Sequence, residues 1–361
     1  MTYTKIEQLR EFMDISPTEE KRLGKLLEDY PMCVPEYYLN LIDFSDNKDP
    51  IGLMSIPTLL ETDRDGSFDT SGEQENTIIP GLQHKYKQTA LILSTNKCAM
   101  YCRHCFRKRL VGLDSNEVAE HLTEIADYIQ QHEEISNVLI SGGDAFMNST
   151  EMIARYLELL APIDHLDFIR FGTRTPVVLP SRITKDDDLL NLFSEYAYLK
   201  QLVVVTQFNH PRELTDQALE AINALQQTGV VVRNQTVLMK DVNADPKVLG
   251  ELLRAMTGFG VMPYYVFQCR PVVGVKNRFQ MPLREGIKIT EEAKALQNGL
   301  GKSFRYCLSH VTGKIEILGT YEDDLILRYH EAKNPDNYGK LFSIKINDDD
   351  CWIPDDFRPD L

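Results

Sequence analysis

Six short runs of β-branched and aromatic residues, separated by stretches with helical periodicity, most narrow the folds open to this 361-residue chain. The runs fall at residues 91–93, 138–140, 168–171, 202–205, 230–232 and 264–267, and read as short strands. Between the first two, Val118, Leu122, Ile125 and Ile129 recur at helical spacing behind Ser115 as a candidate cap. Between the fourth and fifth, Leu219, Ile222 and Leu225 follow Thr215 and stop before Gly229. Such alternation points to parallel strands joined by right-handed crossovers, in either a partial barrel or an open doubly wound sheet. Both architectures carry their chemistry at the carboxyl ends of the strands.

Around this α/β core, taken as residues 81–300, residues 1–80 read as an extension. It has short helical stretches and a polar, glycine-containing loop over 61–76. Residues 301–361 form a C-terminal segment containing β-structure. No internal repeat or low-complexity tract interrupts the pattern. Lys and Arg total 39 against 54 Asp and Glu, a formal charge of −15, which sets nucleic acid aside as a partner class. No basic stretch leads into an apolar run, and no segment approaches about eighteen uninterrupted apolar residues. The expectation is a cytoplasmic protein without a membrane partner.

Three of the seven cysteines, Cys98, Cys102 and Cys105, sit within eight residues just after the first strand, while Cys33, Cys269, Cys307 and Cys351 are scattered. That distribution suits a metal site in a reducing compartment better than a disulfide framework. Thiolates spaced C-x3-C-x2-C on one loop can converge on an iron–sulfur cluster and leave its fourth iron without a protein ligand. The competing arrangement is a zinc knuckle with His104 or a distant residue as fourth ligand, although structural zinc usually shows paired C-x2-C units and no second pair exists.

With Tyr101 just before the second cysteine, this spacing resembles the radical S-adenosylmethionine superfamily, and the string from Cys98 to Arg109 resembles the lysine 2,3-aminomutase family within it. The likeness runs over roughly residues 80 to 320, through the strings 141–144, 170–180, 208–211 and 234–238. It implies a partial (β/α)6 barrel with a four-iron four-sulfur cluster on Cys98, Cys102 and Cys105. Ser141, Gly142, Gly143 and Asp144 would receive the methionyl amino group of S-adenosylmethionine, with His210 and Gln235 as further contacts to that cofactor. It also implies pyridoxal 5′-phosphate on Lys314, with Lys85 and Tyr86 at its phosphate and Arg107 on the α-carboxylate of a small amino-acid substrate. An electron donor such as flavodoxin or ferredoxin and a homo-oligomeric state come with the same resemblance. On chemistry alone, two glycines let a backbone approach a ligand closely, and Asp144 can accept from an ammonium. His210 could equally be a satisfied polar group at a strand end, and Lys314 a surface lysine.

The departures are as informative. Lysine-acting members carry an aspartate where this chain has Arg270, and a second aspartate has no counterpart in residues 307–310. Thr89 replaces an arginine, a single glycine precedes Lys314, and Cys351 stands alone where longer members carry a zinc-binding cysteine cluster. A buried arginine facing a lysine ammonium leaves like charges unpaired at a cost of several kcal/mol. The resulting expectation is a radical, pyridoxal-phosphate-dependent 2,3-aminomutase, an isomerase, acting on an acidic amino acid such as glutamate. Arg270 argues against the alternative of modifying a protein lysine, as shorter relatives do on elongation factor P. The 141–144 and Gln235 strings argue against a non-catalytic iron–sulfur or zinc module.

Overall fold

The protein is described here from a computed structural model covering residues 1–357. Strands β1 (Thr2–Tyr3) and β2 (Val34–Pro35) pair with each other in the N-terminal segment. Every other strand joins one twelve-stranded sheet in chain order. It opens with β3 (Thr77–Ile79) and β4 (Leu82–Tyr86), antiparallel to their neighbours. A parallel series follows: β5 (Thr89–Thr95), β6 (Asn137–Gly142), β7 (Phe168–Gly172), β8 (Gln201–Thr206), β9 (Val231–Leu238), β10 (Met262–Gln268) and β11 (Arg305–His310). The antiparallel strands β12 (Gly313–Tyr321), β13 (Asp324–Ala332) and β14 (Leu341–Lys345) complete the sheet. The linear order leaves it open, so the architecture is a partial barrel of six β/α units extended at both edges.

The six expected runs lie inside β5 to β10, with Val230 one residue ahead of β9. Alternate apolar side chains in these runs are fully buried, as with Ile92, Val138, Ile140, Ile169, Phe171, Leu202 and Val204, while Leu91, Leu139, Phe168 and Val203 on the other face are only partly so. Helix Asp216–Gln227 begins where its cap requires: the Thr215 hydroxyl accepts from Ala218 N at 3.2 Å. Ala218, Ala221, Ile222 and Leu225 face the sheet, and burying each of the two larger ones contributes about 1.5–3 kcal/mol. Gly229, at φ +88°, turns the chain out of the helix.

The earlier helix starts later than the periodicity suggests, at Leu122, with Ser115 accepting from Glu117 N in a local turn. Val118 lies outside it. The preceding segment is held against the sheet by a 2.8 Å bond from Ala119 N to Leu93 O, with Gly81 so close that a side chain there would collide with Ala119. A tertiary contact overrides the helical pattern at this point.

The N-terminal residues are not peripheral. Tyr38, Ile51 and Met54 are completely buried and belong to the same apolar core as the barrel. Tyr101 N donates to Cys33 O at 3.0 Å and Arg103 N to Met54 O at 2.8 Å, so the extension grips the cysteine loop by its backbone. Among the described residues no helix is long and apolar enough to cross a membrane.

Candidate active site

Carboxyl ends of the parallel strands surround a cavity of about 340 Å³. One end is built from the loop after β5. Cys98, Cys102 and Cys105 all line the cavity, and burial pushes the Cys98 thiol up and that of Cys105 to about 11. Arg103, between two of them, is 2% exposed and donates to Glu61 through Nε at 3.0 and 3.1 Å and Nη2 at 2.6 Å. Lys108 and Arg278 converge on the same carboxylate. Burial alone would raise the Glu61 pKa, but Arg103 and Lys108 outweigh it and hold it at about 2. The loop bearing the thiols is therefore bolted to an anion from the N-terminal extension.

Next to this loop, Gly142 (φ +113°) and Gly143 end β6. Both line the cavity, as a backbone open to a ligand requires, and the space a side chain would take is filled by other backbone. A Cβ on Gly143 would lie 2.8 Å from the carbonyl carbon of Lys97, and one on Gly142 would collide with Thr95. Asp144, 3% exposed, already accepts from Thr173 Oγ1 at 2.5 Å, Arg174 N at 2.7 Å and Phe146 N at 3.0 Å. It borders the cavity while tying the third parallel strand end to the second. Ser141 accepts from Arg107 Nη1 at 3.2 Å. Gln235, on the half-buried side of β9 and alternating with Asn234 and Thr236, reaches the cavity. His210 does not line it. Its Nδ1 accepts from Arg212 N at 3.2 Å, capping a short turn, so the strand-end alternative describes it and it is not brought together with the other cofactor candidates.

The opposite end is cationic. Lys85 donates to Ser71 O at 3.0 Å and His310 O at 2.6 Å, and burial, then Arg270, lowers its pKa to about 7. Tyr86, also on the wall, lies under the Lys314 ammonium, 5.7 Å from ring centroid to Nζ. Lys314 projects from β12 into the cavity, with Nζ 2.8 Å from Glu331 Oε2 on β13. Arg107 is held by Glu73 (Nε to Oε1, 2.9 Å) and by Gly142 O at 3.1 Å. Arg270 follows β10, donates through Nη2 to Ser309 Oγ at 2.7 Å and stacks 4.1 Å from the Phe106 ring. Its Nη1 is buried with no hydrogen-bond partner, and among the described residues no carboxylate forms an ion pair with it.

The radical SAM superfamily model matches residues 92–253. A protein of Aquifex aeolicus named "Putative L-lysine 2,3-aminomutase" is 41% identical over 347 residues, covering 95% of this chain and 92% of that one. The L-lysine 2,3-aminomutase of Clostridium subterminale is 34% identical over 91% of this chain and 79% of its own length. This chain belongs to the lysine 2,3-aminomutase family. The glutamate 2,3-aminomutase of Clostridioides difficile is 35% identical over 82% of this chain and 69% of its own. As a member of this radical SAM aminomutase family the chain is an isomerase, and the family implies S-adenosylmethionine and a four-iron four-sulfur cluster.

The donor set fits that cluster: three thiols of one loop face one cavity, and the Arg174 guanidinium stands 2.8 Å from Cys102 Sγ, a cation placed where thiolate charge would develop. The zinc alternative is set aside with family membership. Several side chains that shape this aminomutase site carried no recognisable signal in the sequence. Glu61 and Glu73 lie in a segment that reads as a solvated loop, and Glu331 in one that reads as an ordinary strand. Arg170 and Arg174 fall inside a matched string without any pattern marking them as site residues.

Proposed function

We propose that this aminomutase depends on pyridoxal phosphate and acts on an acidic amino acid, glutamate first, rather than on lysine. The observation that carries the reading is Arg270, a guanidinium with one buried, unbonded nitrogen beside the cavity; among the described residues no carboxylate forms an ion pair with it, Glu73 acting on it only from beyond ion-pair distance. Lys85, Arg107, Arg170, Arg174 and Lys314 line the same space, against the carboxylates of Glu73, Asp144 and Glu331. A phosphate monoester together with a dicarboxylate complements that excess of positive charge, whereas a second ammonium does not.

Within this reading Lys314 is the residue that holds pyridoxal phosphate, whose carbonyl-derived π-system lets a nitrogen move between neighbouring carbons. S-adenosylmethionine, held at the cluster end of the cavity, would supply the radical chemistry. Glu331 keeps the Lys314 amine directed along the cavity wall and is placed to take its proton. Lys85 and Tyr86 would donate to phosphate oxygens, and Arg107, steadied by Glu73, would bind the α-carboxylate. Arg270 receives the distal carboxylate and so sets how far the chain of the substrate reaches. Flavodoxin or ferredoxin as reductant, a cytoplasmic location and homo-oligomeric assembly are parts of the same proposal.

The test is an anaerobic assay of the reconstituted protein with dithionite and L-glutamate, L-aspartate or L-lysine, with β-amino-acid products read by mass spectrometry. Turnover of an acidic substrate is expected, with lysine inert. A charge-assisted pair in a water-poor site contributes about 1.5–3 kcal/mol, so Arg270→Gln should reduce kcat/KM for the acidic substrate roughly ten- to a hundredfold. Efficient conversion of L-lysine to β-lysine by the unmodified protein overturns the proposal.

A further inference from the structure

Arg174 is 7% exposed, and two of its nitrogens are committed away from the cysteines. Its Nε donates to Gln207 O at 3.1 Å, while Nη2 donates to Tyr38 OH at 3.1 Å and pairs with Glu213. Glu213 is completely buried and is itself fixed by Tyr38 OH at 2.6 Å, Asn209 N at 2.6 Å and His210 N at 3.1 Å. With the guanidinium held on those sides, Nη1 is left pointing at Cys102 Sγ, 2.8 Å away. Cys105, by contrast, is met by the backbone N–H of Arg107. A full positive charge is thus directed at one of the three cluster cysteines, with its counter-ion anchored on the far side.

We propose that Arg174, oriented by Glu213 and Tyr38, is a positioning residue that raises the reduction potential of the cluster by donating to the Cys102 sulfur. It rests on family membership and the cysteine assignment, and is independent of the substrate reading. Iron–sulfur potentials follow the net charge around the cluster and the hydrogen bonds to its sulfurs. Adding an electron makes the cluster more negative, so a nearer cation stabilises the reduced form while a more distant anion opposes it. The ion pair therefore gives two perturbations of opposite sign. Removing the arginine charge leaves Glu213 as a buried anion and makes reduction harder. Neutralising Glu213 leaves the arginine charge uncompensated and makes reduction easier. A purely structural role for the pair has no reason to produce opposite signs.

The experiment is an electron-paramagnetic-resonance redox titration of the anaerobically reconstituted cluster in the unmodified protein, Arg174→Gln and Glu213→Gln. At a fixed poise the reduced-to-oxidised ratio is expected to fall about tenfold in Arg174→Gln, equivalent to a midpoint about 59 mV lower for one electron. In Glu213→Gln the ratio is expected to rise. Should Arg174→Gln not retain its cluster, Arg174→Lys keeps the charge while losing the forked geometry, and its ratio is expected to fall by a smaller factor. The proposal is overturned by shifts of the same sign in the Arg174 and Glu213 variants, or by an Arg174 variant whose ratio stays within twofold of the unmodified protein.

Discussion

Replacing Glu61 by Gln removes one negative charge from the place where three cations meet. The carboxylate is completely buried and accepts from Arg103 at 2.6–3.1 Å and from Arg278 at 3.1 Å, besides pairing with Lys108. Its pKa lies at about 2 against an ordinary 4.5, net of the burial that opposes ionisation. At about 1.4 kcal/mol per pH unit, that depression corresponds to about 3 kcal/mol. Breaking a buried ion pair by removing one partner costs about 3–5 kcal/mol, so the two routes agree. Lys108 is already lowered to about 8 by burial, with Glu61 as the main group opposing the fall. In the variant it should be neutral at pH 7, which recovers part of the loss. Urea unfolding of the metal-free protein under reducing conditions should show about 3 kcal/mol less stability. Iron uptake should fall with it, because Arg103 sits between two cluster cysteines. The sign of the pH dependence is also fixed: the contribution is complete above about pH 4.5 and is lost as pH falls through about 2. A loss under about 1 kcal/mol with unchanged iron content would refute the argument that this carboxylate holds the loop.

Three further outcomes follow from the same geometry. Changing Cys98, Cys102 and Cys105 together to Ala should abolish iron binding and the dithionite-driven release of 5′-deoxyadenosine; undiminished release would remove the cluster assignment. Borohydride reduction of protein loaded with pyridoxal phosphate, followed by peptide mapping, should label Lys314, and a label on Lys85, the other cavity lysine, would transfer the role. Lys85 has a folded pKa near 7 against 10.5 ordinarily, so it disfavours the folded state most below about pH 7 and progressively less as pH rises toward 10.5. A bound phosphate needs it charged, so inorganic phosphate should bind more weakly from pH 7 to 8, by at most about tenfold for one proton, and Lys85→Arg should flatten that decline.

The fold was legible because its signals are local. Six apolar runs of strand length alternating with amphipathic segments admit few topologies, and the structure strings them into parallel neighbours in chain order. The cysteine loop was equally legible, since thiol spacing along a chain is a local quantity, and family membership bears out the radical SAM assignment. What sequence could not supply is how distant segments close on one another. Glu61 meets Arg103 across 42 positions and Arg278 across 217, and a run of polar residues looks solvated until burial selects one carboxylate as a counter-ion. Glycines 142 and 143 were recognisable, but only packing shows that, besides lining the cavity, they make room for the backbone of Thr95 and Lys97. His210 and Gln235 looked alike as polar residues near strand ends. The alternation of β9 turns Gln235 toward the cavity, whereas His210 sits past β8 in a turn whose own N–H groups claim its ring. The sequence by itself determined the α/β class, the spacing of the thiol triad and the presence of an arginine at position 270. Tertiary structure alone decided that, among the described residues, no carboxylate forms an ion pair with Arg270 and that Arg174 faces a thiol. Those are relations between segments far apart in the chain, and long-range packing and burial set them rather than local propensity.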